Sequence, residues 1–181
     1  LEPLEKRMVD VGPFGLVIGG GVSGIQAALD LANRGFSVSL VEKSPFLGGR
    51  VAQLNRVFLT NEEVTEIINP MMKELVNHSN IKVFTNSEIE KLEGYIGNFK
   101  ATVKRKPRYV TAKCTACGRC AEVCPVEVSD EFNLGLTKRK AIYMPYKDAV
   151  PRVFTIDEVA CTRCGECLKV CEPNAIVLDS K

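Results

Sequence analysis

The stretch that decides the fold is CTACGRCAEVCP, residues 114–125, which follows the pattern C-x2-C-x2-C-x3-C-P. The cysteine pattern returns, without a proline directly after it, in CTRCGECLKVC, residues 161–171. All eight cysteines of the chain lie in these two stretches. A secreted disulfide framework spreads its cysteines over the fold, so a segregated set with regular short spacing predicts metal ligation instead.

The repeated pattern is that of bacterial two-cluster ferredoxins, in which the fourth cysteine of each run ligates the other cluster. We therefore predict two [4Fe–4S] clusters with crossed ligation. One cluster takes Cys114, Cys117, Cys120 and Cys171, and the second takes Cys161, Cys164, Cys167 and Cys124. Zinc is the alternative, because CxxC pairs also bind zinc, but zinc gives no reason for the longer run to occur twice. With every cysteine used as a ligand, the chain can relay electrons but cannot itself reduce a disulfide through a redox-active CxxC.

A second motif, GGGVSG at residues 19–24, fits G-x-G-x-x-G between a predicted strand over 15–20 and a predicted helix over 22–34. A further strand is predicted over 37–42 and ends on Glu42, which completes a βαβ unit with parallel strands. The glycines permit a tight turn and the close approach of a pyrophosphate, and the acid accepts hydrogen bonds from ribose hydroxyls. The predicted nucleotide-binding residues are Gly19, Gly21, Val22, Ser23, Gly24, Glu42, Lys43, Gly49 and Arg50.

The residues around this motif indicate which dinucleotide it binds. Glu42 disfavours the 2′-phosphate of NADP. The LGGR segment at residues 47–50 resembles the segment that flavoproteins of the glutathione-reductase type place along FAD. An ordinary turn is the alternative interpretation of its two glycines. We therefore expect FAD rather than NAD.

The remaining pattern of the first part of the chain predicts one more helix and three more strands. Residues 61–77 predict a helix with Asn61 as N-cap, and Pro70 inside it predicts a kink or a break into two shorter helices. A third parallel strand is predicted over 81–84. Two further strands form a predicted hairpin, 88–93 and 98–105.

The expected fold class is α/β, with two domains. A partial Rossmann-like FAD-binding βαβ unit occupies residues 1–106, and an α+β ferredoxin domain with two [4Fe–4S] clusters occupies residues 107–181. Pro107 marks the boundary. In the second domain each cysteine group lies between short apolar segments, which makes a twofold internal repeat. These segments are 109–110 and 153–156 before the groups, and 141–144 and 175–178 after them.

Composition excludes several other classes of protein. The formal net charge of +2 is too small to indicate a nucleic acid as partner. No membrane span is predicted, because the most apolar stretch, residues 14–40, is interrupted by Gln26, Asp30 and Arg34. The N-terminus lacks a signal-peptide pattern, so a cytoplasmic location is expected.

A nucleotide-binding βαβ unit followed by a two-cluster ferredoxin resembles the iron–sulfur flavoprotein subunits of CoB–CoM heterodisulfide reductase, found in methanogens and related anaerobes. The resemblance covers nearly the whole chain and is most specific in three stretches. These are CPVEV at residues 124–128, DEFN at 130–133 and RKAIY at 139–143. Relatives usually carry a further pair of cysteines where this chain has Glu63 and Glu66, so any ligation by that pair is not expected here.

The resemblance implies an electron-transferring oxidoreductase component in which FAD exchanges electron pairs and the clusters pass single electrons to partner subunits. The implied partners are other heterodisulfide reductase-type subunits, a hydrogenase or formate dehydrogenase as electron donor, and ferredoxin. No catalytic residue is predicted, and the isolated chain is expected to be catalytically incomplete. Relatives are much longer, so the chain is a fragment or a shortened form, and a shortened form would lack part of the FAD pocket.

Two alternatives remain open from the sequence. One is a related flavoprotein component of a sulfate-reducing or sulfur-oxidising complex, with a different terminal acceptor. The other is a non-catalytic carrier or docking module, in which the nucleotide fold is structural and only the clusters act.

Overall fold

A computed structural model describes Met8 and residues 11–179, which form two bodies, each around its own buried cluster. The first body contains β1 (Phe14–Ile18), α1 (Val22–Asn33), β2 (Ser37–Val41), a 3-10 turn (Val51–Gln53), α2 (Val64–Asn77), β3 (Ile81–Phe84), β4 (Ser87–Tyr95) and β5 (Asn98–Arg105). The second contains α3 (Arg119–Glu122), β6 (Glu127–Ser129), β7 (Lys138–Lys140), β8 (Ile142–Tyr143), β9 (Thr155–Ile156) and α4 (Glu166–Lys169).

The first body is built on a three-stranded parallel sheet in the order β1-β2-β3, which confirms the predicted βαβ unit. Leu40 in the central strand pairs with Val17 on one side and Val83 on the other. Both long helices bury an apolar stripe against this sheet. The stripes are Ile25, Ala28, Leu29 and Ala32 on α1, and Val64, Ile68, Met72 and Leu75 on α2. This packing fixes where the carboxyl ends of the strands meet the start of α1.

The turn from β1 into α1 requires glycine at two positions. Gly19 has φ +104°, a left-handed conformation that ends the strand at Ile18 rather than at residue 20. A Cβ on Gly24 would lie 1.9 Å from the carbonyl oxygen of Gly19. The third glycine of the motif therefore lets the helix pack directly against the strand end.

Helix α2 differs from its prediction at its start and at Pro70. It begins at Val64, because Asn61 adopts a left-handed φ of +60° and cannot serve as the N-cap. It also continues through Pro70 as one helix, so the predicted break is wrong. Pro70 removes only the bond to the carbonyl of Glu66, and both residues are exposed, so water can satisfy that oxygen. Among the described residues, no helix is long and apolar enough to cross a bilayer.

Strands β4 and β5 form the predicted antiparallel hairpin, with a bulge between Ile89 and Lys91. In the second body, the strand-like segments around the two cysteine groups pair crosswise. Ile142 pairs with Ile156, and Val110 forms a bridge with Ile176, so each half contributes to both pairs. The hairpin of β6 and β7 is an addition that the repeat did not predict.

Arg108 ties the two bodies together at the boundary near Pro107. Its guanidinium donates to the carbonyl oxygens of Pro45 and Val153 and to the Thr85 hydroxyl, and it lies 5.1 Å from the centre of the Phe46 ring. Burial lowers the pKa of Arg108 to about 10, with the nearby charge of Arg105 acting in the same direction. A cation that is desolvated and still hydrogen-bonded to three segments holds both bodies in one arrangement.

We expect Gly24→Ala to lower the free energy of unfolding by about 2–3 kcal/mol, because the added methyl forces the helix away from the strand end. Denaturant unfolding of the purified protein measures the change. Gln26→Ala, an exposed position on the same helix, is the control and is expected to stay within about 0.5 kcal/mol of wild type. Wild-type stability in Gly24→Ala would contradict the packing described.

Candidate cofactor sites

The glycine-rich loop and the LGGR segment lie directly against one another. The N–H of Gly48 donates to the carbonyl of Gly20 at 2.8 Å, and Gly21 forms a parallel bridge with Gly48. Glu42, at the end of β2, accepts from the N–H of Gly20 at 2.5 Å and from that of Ser44 at 2.6 Å. The carboxylate therefore fixes the loop to the strand end.

This loop has the features that a dinucleotide pyrophosphate requires. The N-cap of α1, Gly21, has no side chain to cap the helix, so the first N–H groups, including those of Val22 and Ser23, have no partner within the helix. Among the described residues, no heavy atom lies within 4 Å of a Cβ built on Gly19. The residues present therefore fit a bound phosphate at this helix start.

A cavity of about 510 Å³ lies beyond the carboxyl end of β2. Four of the predicted nucleotide-binding residues line it, Glu42, Lys43, Gly49 and Arg50. The glycine-loop residues of the prediction, 19–24, lie beside the cavity through their contacts with Glu42 and Gly48 rather than in its lining. The second body contributes further lining residues that sequence reasoning missed, including Phe132, Arg139, Tyr143 and Tyr146.

The eight cysteines divide into two sets, each around a separate apolar cavity. Cys114, Cys117, Cys120 and Cys171 line one cavity together with Val110, Phe154 and Ile176. Cys161, Cys164, Cys167 and Cys124 line the other together with Ile142 and Ile156. The fourth cysteine of each run thus lies with the first three of the other run, which is the grouping that crossed ligation requires.

The two cysteine loops have nearly the same backbone conformation. Gly118 and Gly165 have φ of +88° and +81°, and Ala116 and Arg163 both have φ of +56°. These left-handed turns point N–H groups at sulfur. Ala116 donates to Cys114 at 3.4 Å, and Arg163 donates to Cys161 at the same distance. Such bonds to sulfur stabilise negative charge on a ligated cluster, and nothing in the residue types at 116 and 163 signals them.

Burial makes the innermost thiols poor acids on their own. Burial raises the pKa of Cys120 to about 12, and the neighbouring Cys114 sulfur adds to the effect. Burial likewise raises the pKa of Cys167. Deprotonation at these positions therefore needs iron to stabilise the thiolates. Within the described residues, no three Cys, His, Asp or Glu side chains converge as they do around a single metal ion.

Asp157 anchors the turn that leads into the second cysteine run. One carboxylate oxygen accepts from the N–H groups of Val159 and Ala160, both at 3.2 Å, and the other accepts from Arg139 at 2.9 Å. Burial acts to raise the pKa of Asp157, but the bonds from Arg139 and the backbone outweigh it, so the pKa lies below its usual value. The Asp157 carbonyl also accepts from the N–H of Cys161 at 2.9 Å.

Two family models match this chain. The FAD dependent oxidoreductase model matches residues 16–107, which is about half of the chain. The 4Fe-4S dicluster domain model matches residues 113–176. These matches confirm the expectation of FAD together with two [4Fe–4S] clusters.

The curated relatives agree with the resemblance noted from the sequence. An iron-sulfur subunit of CoB–CoM heterodisulfide reductase from Methanopyrus kandleri is 57% identical over 86% of this chain and 24% of that protein. The corresponding subunit of Methanocaldococcus jannaschii is 51% identical over 100% of this chain and 28% of its own length. A subunit of the H(2)/formate:CoB-CoM heterodisulfide,ferredoxin reductase of Methanococcus maripaludis is 50% identical over 87% and 24%. The chain spans about a quarter of the length of these relatives.

We expect Asp157→Ala to destabilise the second body by about 2 kcal/mol, because it removes both the turn contacts and the partner of Arg139. Asp157→Asn retains an oxygen for the turn and should lose about half as much. Thermal unfolding of the anaerobic protein, read with iron release to a chelator, measures both. The exposed Asp148→Ala serves as control. Equal stability of all three variants would show that Asp157 anchors nothing.

Crossed ligation predicts which pairs of cysteine substitutions act on one cluster. The double variant Cys117→Ala/Cys171→Ala is expected to retain about four irons per chain, because both residues belong to one set. Cys117→Ala/Cys124→Ala is expected to lose both clusters. Iron analysis and electron paramagnetic resonance of the reduced proteins distinguish the two. The reverse outcome would establish uncrossed ligation.

Proposed function

Because the chain belongs to the FAD dependent oxidoreductase family, we propose that it is the electron-relaying part of an iron–sulfur flavoprotein of the heterodisulfide reductase type. Its relatives of about 50% identity are named as subunits of that enzyme. The proposed activity is the movement of electrons between FAD and partner proteins through two [4Fe–4S] clusters.

One observation carries this proposal, the closeness of the nucleotide cavity to a cysteine cavity. Tyr143, in β8, lines the cavity that contains Glu42. Its neighbour in the same strand, Ile142, lines the cavity of Cys161, Cys164, Cys167 and Cys124. A single strand therefore separates the two sites, which supports a cofactor pair arranged for electron exchange.

The chain's own residues would bind and orient the cofactors. Gly19, Gly21, Val22 and Ser23 would hold the pyrophosphate through backbone N–H groups, with Gly24 allowing the close packing behind them. Glu42 would accept from ribose hydroxyls, and Lys43, Gly49 and Arg50 would line the rest of the path. Bound FAD supplies two-electron chemistry, and the clusters supply one-electron steps.

We further propose that residues 1–106 and 107–181 are the two functional domains, with Arg108 as the tie between them. Its contacts with Pro45, Thr85 and Val153 support a boundary at Pro107 across which the relative position of the domains is held.

For the whole protein, we propose electron transfer with partner subunits. The Methanococcus maripaludis relative is named as part of a reductase of heterodisulfide and ferredoxin with H2 or formate as donor. By that likeness, a hydrogenase or formate dehydrogenase would supply electrons. The heterodisulfide would be reduced on a different polypeptide, because all eight cysteines of this chain belong to the two cluster sets.

Anaerobic stopped-flow reduction by a viologen radical tests the relay. In the wild-type chain, the flavin and cluster absorbances should bleach together. In Cys117→Ala/Cys124→Ala, matched for FAD content, flavin bleaching should be much slower, because electrons no longer reach it through the clusters. Equal rates in the two proteins would contradict the relay and favour a flavin that works independently of the clusters.

A further inference from the structure

The cavity beyond β2 has a wall that the nucleotide-binding unit does not supply. Glu42, Lys43 and Arg50 lie on the side of the first body. The opposite side consists of residues from the second body. The principal ones are Phe132, Arg139, Tyr143, Pro145 and Tyr146. We propose that the ferredoxin domain forms one wall of the site for the adenosine half of FAD, with the Phe132–Tyr146 pair against the adenine; this inference rests on the proposed FAD binding.

The aromatic pair offers the flat apolar surface that a purine base requires. The rings of Phe132 and Tyr146 are stacked, with centroids 5.2 Å apart and planes at 29°. Both side chains are half-buried. The Tyr146 hydroxyl donates to the carbonyl of Leu47 at 3.4 Å, which holds its ring against the segment that leads into the two glycines. An adenine that contacts this pair gains stacking with little loss of side-chain freedom.

The charges around the cavity fit an adenosine phosphate. The cations Lys43, Arg50 and Arg139 outnumber the carboxylates Glu42 and Glu131. Arg139 is paired with Asp157 and lies 3.9 Å from the centre of the Tyr143 ring, so its planar group is fixed in the wall. Glu42, already at the loop that faces the phosphates, is placed to accept from ribose hydroxyls.

The same wall belongs to the strand that reaches the second cysteine cavity. Arg139 ends its contacts on Asp157, whose carbonyl accepts from Cys161. The residues that contact adenosine are therefore positioned by the same turn that positions a cluster ligand. The ferredoxin domain is then a structural part of the flavin site as well as its electron partner.

Equilibrium binding of FAD to the flavin-depleted, cluster-loaded chain tests this inference. Tyr146→Leu and Phe132→Leu keep apolar bulk but remove the flat ring, and each is expected to weaken FAD binding about tenfold. Tyr146→Phe keeps the ring and should bind FAD nearly as wild type does. ADP, the probe for the adenosine half, should lose affinity in parallel with FAD, whereas FMN binding should be unchanged.

Iron content close to wild type shows that each variant has folded around its clusters. Leu136→Ala, on the same loop as Phe132 but 81% exposed, is the matched control and should leave the FAD affinity unchanged. Unchanged FAD affinity in both leucine variants would overturn the inference while leaving the proposed function intact. Equal weakening of FAD and FMN would overturn it too, by placing the rings against the flavin half. A wild-type chain that binds no FAD would overturn the proposed function and this inference with it.

Discussion

The second body depends on the exchange of one cysteine between its two halves. Cys124 and Cys171 each follow their own run by a short helical turn, yet each lies in the cavity of the other run. Few large side chains fill this body, and its buried residues surround the cysteines. With iron bound across both halves, the clusters would hold together a domain whose apolar core is too small to do so alone.

The position of the ferredoxin body also shapes the nucleotide site. Arg108 reaches across the boundary to the loop after β2 and to the end of β3, while the N–H of Leu47 donates to the carbonyl of Val150 at 2.7 Å. These bonds place the second body against the segment that carries the two glycines. A cofactor relay needs its two sites held at a constant separation, and a buried, fully bonded cation at the boundary supplies that constraint.

The sequence predicted those parts of the molecule whose chemistry is local. Cysteine spacing identified both cluster sets, because three thiolates on a tight loop have few other arrangements, and Gly24 followed from the contact that only glycine permits. The exact start of α2 was not predictable, since Asn61 suits an N-cap by type and is displaced only by its loop conformation. The continuity of α2 through Pro70 depends on buried residues on both sides of it. The roles of Arg108, Tyr146 and Asp157 depend on contacts across tens of residues, which no local pattern contains.

Metal and flavin analysis of the anaerobically purified chain tests the central claim most directly. We predict about eight irons and one FAD per chain, with an absorbance spectrum that shows both chromophores. Eight irons without flavin would leave the clusters but remove the relay to FAD. Zinc in place of iron would contradict the assignment of the cysteines to iron–sulfur clusters, on which the electron relay depends.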